Sequence, residues 1–321
     1  MIRKGTVLFV TVETPLHAGT GAELGIVDLP IQRERHTGWP KVEASGLKGA
    51  LREEVNLPDE LKDVIFGPEK GDLHSGALVL TDLRILLFPV KSVKGTFAWI
   101  VSPEVFKRFR RDFRALTAFD KNIESVFNTL PQSLEENTVH NESELTVDIN
   151  GKPHALLEEY SFEVTKGSKG IGEFSKWLQE QVFKQNDLRH QDIPKRLCVV
   201  SDDMFNDFVT MFTEITTRTR IDPKTGTVQT GTLWNEEYLP TETIMYSLMM
   251  STPLLIKNKK ERSELSKIVN DDPQKESENV LKVVIGQLDK GEQVLPRYLF
   301  LGGNETIGKG LVSLKVIWQG G

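Results

Sequence analysis

One cysteine, Cys198, is all that the 321-residue chain carries. A single thiol excludes an intramolecular disulfide and any cysteine-rich zinc site. Its place in the apolar run Leu197–Val200 reads as a buried structural thiol. Long hydrophobic runs are missing too, and no stretch approaches the length needed to cross a bilayer. Met1-Ile2-Arg3-Lys4 leads straight into a strand pattern without the apolar core of a signal peptide. A reduced, cytoplasmic protein without a membrane partner is the expectation. Nor is there a surplus of positive charge: 40 Lys and Arg against 46 Asp and Glu leave −6, so the chain as a whole lacks the basic footprint of a nucleic-acid binder. The basic residues are instead clustered, at Arg33, Arg35, Lys41 and Lys48, along residues 107–114, and at Arg218, Arg220 and Lys224. A groove for a polyanion needs such local clusters rather than a basic average, although any one run alone reads more readily as a solvated face. Acidic residues gather elsewhere, in 135–144 and 271–278.

What is present suits a soluble fold, with 38% hydrophobic residues, enough for one large core or two smaller ones. Thr6–Glu13 is apolar and β-branched and is stopped by Pro15, which predicts a buried strand. Residues 14–44 follow as a long, charged, glycine-containing loop, and a loop of that length in a compact domain is usually functional or disordered. Ser45 then reads as the N-cap of a helix with Leu47, Leu51 and Val55 on one face. Two strands are expected over Ala77–Val90 and Thr96–Val101, and Ser102 should cap a basic helix through Leu116. Residues 131–172 turn polar and weakly periodic, as in an insertion or mobile region. Helix is expected at Glu173–Lys184, strand at Arg196–Val200 and helix at Asp202–Thr213. Two Thr/Val-containing arms flank the turn Asp222-Pro-Lys-Thr-Gly226 within Thr217–Glu237, a hairpin signature. Strand at Thr241–Met250, helix at Lys275–Leu288, and a strand, glycine-rich loop and strand over Tyr298–Trp318 complete the chain. The order fits an α+β class with a ferredoxin-like or RRM-like core carrying long inserts.

Two motifs fail on inspection. Gly303-Asn-Glu-Thr-Ile-Gly308-Lys309 imitates a phosphate-binding P-loop, but Gly310 stands where Ser or Thr should hold magnesium, and a β-patterned run follows in place of a helix. The stretch from Gly19 to Gly25 misses dinucleotide spacing by one residue and opens no helix. Their physical content survives: glycines let a backbone approach a phosphate closely, and exposed amides beside a lysine can cradle it. Lys309 supplies charge at the second loop. Gly46 and Lys48 sit in the first turn of a helix, where the dipole and free amides favour an anion.

Read together, His17-Ala-Gly-Thr-Gly21, the run Asp28-Leu-Pro-Ile-Gln-Arg33-Glu-Arg35-His36 and Ser45-Gly-Leu-Lys48-Gly49 resemble the N-terminal signature of the RAMP superfamily. Arg218-Thr-Arg220-Ile-Asp-Pro-Lys-Thr-Gly226, with Leu233-Trp-Asn-Glu236-Glu237-Tyr238-Leu-Pro240, is similar to the thumb hairpin of its type III-B (Cmr) backbone subunits, a Cas-seven-like family. Gly302–Gly310 is similar to that family's C-terminal glycine-rich loop. The resemblance implies one RAMP domain, with a palm from 1–130, 196–213 and 240–321, a helix-bearing insertion at 131–195 and a thumb at 214–239. It also implies a subunit that stacks with copies of itself and with other Cmr subunits along a guide RNA (crRNA). Such a subunit cuts complementary single-stranded target RNA at regular intervals, as an endoribonuclease active only within the assembled complex. Cutting would depend on Asp28 and a divalent metal held there, magnesium or manganese, with His17, Glu236 and Tyr238 implicated less directly. RNA contacts would come from Arg33, Arg35, Ser45, Gly46, Lys48, Arg218, Arg220, Gly302, Gly303, Gly308, Lys309 and Gly310. The chemistry is sound in outline, because RNA carries its own nucleophile, the 2′-hydroxyl, and a carboxylate can take its proton or hold a metal that does so. Three alternatives stay open at this point: a guide-binding subunit that does not cut, a stand-alone guide-processing endonuclease, and a nucleotide-dependent enzyme, the last weakened by Gly310.

Overall fold

The computed structural model describes residues 4–22, 25–69, 74–259, 263–287 and 294–318. Residues 1–3, Glu23 and Leu24 of the first loop, and Leu288 at the expected end of the last helix lie outside them. Lys4–Val12 is the central strand, and its sequence KGTVLFVTV is buried along both faces after the first residue. Antiparallel neighbours flank it, so Phe9 stands opposite Tyr246 on one side and Lys315 on the other. The sheet runs in the order Thr165–Lys166, Thr138–Val139, Leu197–Val199, Phe97–Val101, Leu83–Lys91, Ile244–Ser251, Lys4–Val12, Leu311–Val316 and Tyr298–Phe300. Lys41–Val42 pairs with Leu83–Lys91, and Leu78–Leu80 with Ile244–Ser251. The short strand Leu197–Val199 runs parallel to Phe97–Val101 while most others are antiparallel, which makes the sheet mixed and the class α+β.

Helices cover both faces. Phe9 meets Phe109 and Trp177, each with ring centroids 6.0 Å away, contributed by Pro103–Thr117 and Lys169–Gln181. Each such buried aromatic removes enough apolar surface to contribute about 1.5–3 kcal/mol. Pro273–Val284 and Ala44–Glu54 pack elsewhere on the sheet, the first bonded through Ser251 Oγ to the Ser277 carbonyl at 2.8 Å. Cys198 is fully buried, and burial pushes its thiol up to about 12. The expected structural thiol is there.

Local chemistry explains most boundaries. Ser102 caps Pro103–Thr117 by accepting the Val105 amide, and Pro103 sits where a missing N–H costs nothing. Ser45, however, is not a cap. The helix begins at Ala44 and its N-cap is Glu43, without a side-chain bond. The Ala44 amide is taken instead by the Asp82 carboxylate at 2.9 Å, a tertiary cap that no local pattern announces. Asp82 also divides the expected strand Ala77–Val90 into Leu78–Leu80 and Leu83–Lys91.

Residues 131–195 are better organised than their polarity suggested. Thr146–Ile149, Lys152–Leu157 and Tyr160–Glu163 form a separate three-stranded antiparallel sheet, with Ala155 and Leu157 buried. Thr138–Val139 and Thr165–Lys166 extend the main sheet, and Trp177 lies in the core. The hairpin follows expectation closely: Glu214–Ile221 and Val228–Tyr238 pair with Arg218 opposite Trp234, and a bulge falls between Thr219 and Ile221.

Candidate active site

The long loop after the first strand is stitched to the base of that hairpin. Leu16 and Leu239 exchange backbone bonds of 3.0 and 2.8 Å, and Leu29 lies beside Glu236, accepting the Glu237 amide at 3.0 Å. Asp28 is carried into the same place. Its Oδ2 accepts the Asn235 amide at 2.7 Å, and the residue is exposed. The described residues of this loop thus form a platform held by the base of the hairpin.

The pleat of the second hairpin arm sorts its side chains. Successive residues point to opposite faces, so Trp234, Glu236 and Tyr238 share one face and Asn235 and Glu237 the other. On the first face Glu236 Oε2 accepts from the Tyr238 hydroxyl, from Arg218 Nε at 3.2 Å and from Asn304 Nδ2 at 3.1 Å. Its Oε1 accepts Trp234 Nε1 at 2.9 Å. Arg218 and Asn304 also reach the Tyr238 oxygen, at 3.1 and 2.9 Å. Burial alone would raise the Glu236 pKa, but the bonds from Tyr238, Trp234 and Arg218 outweigh it and hold the group below its ordinary value. Tyr238 shifts the other way, raised by burial and by its bond to Glu236, and it has no exposed surface. These two residues form a closed, charged brace rather than an open acid–base pair.

His17 completes the group. Its ring lies 5.5 Å from that of Tyr238, and Nδ1 stands 2.7 Å from the Glu237 carbonyl. A carbonyl only accepts, so Nδ1 carries the proton and Nε2 is left as the acceptor of the neutral ring. A Cβ built on Gly19 would come within 2.6 Å of Nε2; glycine there leaves room for the imidazole. The Gly303 amide bonds the His17 carbonyl at 2.9 Å, and Lys309 Nζ sits 5.0 Å from the Tyr238 ring centroid. The first loop, the thumb base and the glycine-rich loop, far apart in sequence, therefore meet here.

The expected RNA-contact residues divide. Arg33 is bonded to protein: its NH1 donates to the Gly38 and Val209 carbonyls at 2.8 and 2.9 Å, and NH2 to the Glu237 carboxylate. Glu237 in turn accepts Ile31 N at 3.0 Å and Thr213 Oγ1 at 2.7 Å. Arg33 clasps the loop to the base of the hairpin through NH1 and NH2. Arg35 and Arg220 are exposed and make no ion pair among the described residues. Lys48 donates to the Leu78 carbonyl at 2.8 Å, and burial together with nearby Arg52 lowers its pKa. Ser45 and Gly46 are exposed in the helix's first turn, although Asp82 already lies against that end.

The glycines divide as well. A Cβ at Gly302 or Gly310 would strike the His17 or Leu301 carbonyl oxygen at 2.3 or 2.2 Å, so both are demanded by chain packing. Gly308, at φ +77, faces open space. Sequence reasoning missed Asn304 and Trp234. Trp234 had a signal, the W-x-E-x-Y alternation along one strand; Asn304 had none.

Among the described residues no group of three His, Cys, Asp or Glu side chains could hold a metal ion. Among the described residues Asp28 is bonded through Oδ2 alone, which leaves its other carboxylate oxygen as a ligand. That suits a magnesium ion that keeps most of its waters and leans on substrate phosphate, and not a protein-built cage. A cleft of about 470 Å³ lined by Glu13, Arg189, Arg297 and Lys315 shares no residue with this group.

A family model described as the RAMP superfamily matches residues 9–313. The chain belongs to the RAMP superfamily. The CRISPR system Cmr endoribonuclease Cmr4 of Pyrococcus furiosus is 39% identical over 307 residues, spanning 94% of this chain and 92% of that protein. The CRISPR system CMR subunit Cmr4 of Saccharolobus solfataricus is 25% identical over 325 residues, 96% and 94% of the two chains. The crystal structure of oligomeric Cmr4 from Pyrococcus furiosus superposes with a TM-score of 0.68 at 29% identity, covering 99% of each chain. A chain of the type III-B Cmr-beta complex bound to cognate target RNA shares the fold, with a TM-score of 0.71 at 19% identity over 98% of each. The ferredoxin-like expectation for this RAMP chain is met by that mixed sheet. No described helix is long and apolar enough to cross a membrane.

Proposed function

We propose that this chain is the guide-RNA-binding backbone subunit of a type III-B CRISPR effector and cuts complementary target RNA within the assembled complex. One observation carries the reading. Asp28 is presented, exposed and with one oxygen free, on the base of the thumb by the Asn235 amide, in a chain 39% identical to a protein named an endoribonuclease. On this reading the chain is one RAMP domain, with thumb 214–239 and insertion 131–195. It works in the cytoplasm beside guide RNA, target RNA, copies of itself and other Cmr subunits.

The residues divide the labour. RNA's 2′-hydroxyl attacks the adjacent phosphorus, so the protein's task is to splay the strand and manage two protons. The free Asp28 oxygen accepts the hydroxyl proton. His17, when protonated at Nε2, can donate to the departing 5′-oxygen; the Glu237 carbonyl fixes its ring. Glu236 and Tyr238, braced by Arg218, hold the thumb base and take no proton. Magnesium, if held at that one free Asp28 oxygen, would stand in place of direct proton transfer to it and would supply positive charge against the phosphate. Arg35, Arg220, Lys309 and the first turn at Ser45 and Gly46 would track the RNA backbone.

The test is assembly of the chain with guide RNA, the other Cmr subunits, labelled target and magnesium. Cuts at regular intervals with 2′,3′-cyclic phosphate and 5′-hydroxyl ends are expected. Intact assembly without cutting, in the presence of each metal tried, would leave a guide-binding role and overturn the nuclease.

A further inference from the structure

Asn304 adopts the left-handed conformation, at φ 69 and ψ 25, between Gly303 and the short helical turn Glu305–Ile307. Asparagine tolerates that conformation better than most side-chain-bearing residues. Its amide end is settled by chemistry: a carboxylate can only accept, so the NH2 group faces Glu236. The Tyr238 hydroxyl gives its hydrogen to Glu236 and therefore accepts from Asn304 and Arg218. Three separate segments, the two thumb arms and the glycine-rich loop, thus converge on one carboxylate oxygen. The same loop, one residue earlier, bonds the His17 carbonyl.

We propose that Asn304 is a positioning residue for target cleavage, fastening the glycine-rich loop to the thumb base. The inference rests on the functional reading above and extends it. Its reach to the reacting groups has two short links. Glu236 follows Asn235, whose amide holds Asp28, and Gly303 precedes Asn304 and holds the His17 carbonyl. Removing the Asn304 amide takes one of the three donors from Glu236 Oε2 and frees the loop from the thumb, so Asp28 and His17 lose their common register. Displacement of a reacting group by an ångström is enough to cost a large factor in rate.

The decisive variants are Asn304→Gly, which keeps the left-handed backbone and deletes the amide, and Asn304→Asp, which keeps the shape and adds a second carboxylate beside Glu236. In assembled complexes, N304G should cut about 10- to 100-fold more slowly in single turnover, with target affinity within about twofold of wild type. N304D should be slow at neutral pH and recover as the pH falls, because the protonated acid can again donate to Glu236. A merely structural role would lower assembly and target affinity together with rate, so the split between rate and affinity is the deciding readout. Wild-type rate in N304G would overturn the inference, as would rate and affinity falling together, or an N304D profile parallel to wild type. A wild-type complex that leaves target intact would overturn this inference and the functional reading together. Wild-type cutting with unimpaired N304G would overturn this inference alone.

Discussion

Asn235 holds Asp28 through its main-chain amide, at 2.7 Å across 207 residues of sequence. The contact uses one carboxylate oxygen and leaves the other exposed. Because the donor is backbone, the anchor depends on the path of the thumb strand and not on the identity of residue 235. Asp28 is therefore aimed by the same strand whose next residue, Glu236, is clamped on the opposite face.

That arrangement separates two duties of Asp28. Asp28→Asn keeps an oxygen for the Asn235 amide and loses the charge, whereas Asp28→Ala loses both. Each should lower target cutting by about 100-fold or more if the carboxylate takes the proton, while guide binding and assembly stay intact. Cleavage assays on assembled complexes decide it. Wild-type cutting by D28N would show that the charge is not needed.

Arg33 offers a contrast. Truncating it to alanine leaves the Glu237 carboxylate buried with Ile31 N and Thr213 Oγ1 as its donors among the described residues. Loss of one partner of a buried pair costs about 3 kcal/mol. Arg33→Ala should lower the thermal midpoint of the isolated chain, while the salt dependence of guide binding keeps its slope. A reduced slope with unchanged stability would restore Arg33 to the RNA contacts.

These two residues also mark how far the sequence carried. The central strand, the capped helix after Ser102 and the thumb were readable from periodicity, a serine before proline and a turn signature. Asp28, Glu236 and Tyr238 were readable as one group through family likeness alone; in the structure Glu236, Tyr238 and His17 stand together, and Asp28 meets the neighbouring Asn235 amide. The Arg33 clasp was not legible, because an arginine in a charged motif looks the same whether it faces phosphate or Glu237, its partner 204 residues away. Asn304 was invisible for a related reason: its meaning lies in contacts to Glu236 and Tyr238, 68 and 66 residues distant. The strands of 146–163 escaped notice because they are short, half exposed and poor in apolar alternation.

Glu236 makes a pH-dependent contribution whose sign is fixed. Its folded pKa lies below the ordinary 4.5, so the stability it supplies is fully present above that value and is lost as pH falls through the lowered one. Comparison with Glu236→Gln isolates the effect from other carboxylates. The difference in unfolding free energy between wild type and E236Q should be constant from pH 7 to about 5 and shrink below about 4.5. Denaturant titrations across that range check it. A difference that grows on acidification would mean that the hydrogen bonds do not outweigh burial.

Cationic residues can be sorted by salt dependence. A side chain that neutralises a phosphate releases a counterion, so its loss lowers the slope of log affinity against log salt by about 0.7 to 1. Arg220 is exposed on the thumb without an ion pair among the described residues, and Lys309 lies over Tyr238 at the glycine-rich loop. Arg220→Ala and Lys309→Ala should each reduce the slope by that amount and weaken guide binding alike for different guide sequences. Lys48 is the discriminating case, since its ammonium is half enclosed and already donates to the Leu78 carbonyl. Lys48→Ala should reduce the slope only if the remaining hydrogens of that ammonium meet phosphate at the helix start. An unchanged slope with a lowered thermal midpoint would instead make Lys48 a tether between the helix and the strand Leu78–Leu80. Titrations of guide RNA at four or so salt concentrations, run for all three variants beside Arg33→Ala, separate cations that grip RNA from cations that hold the fold.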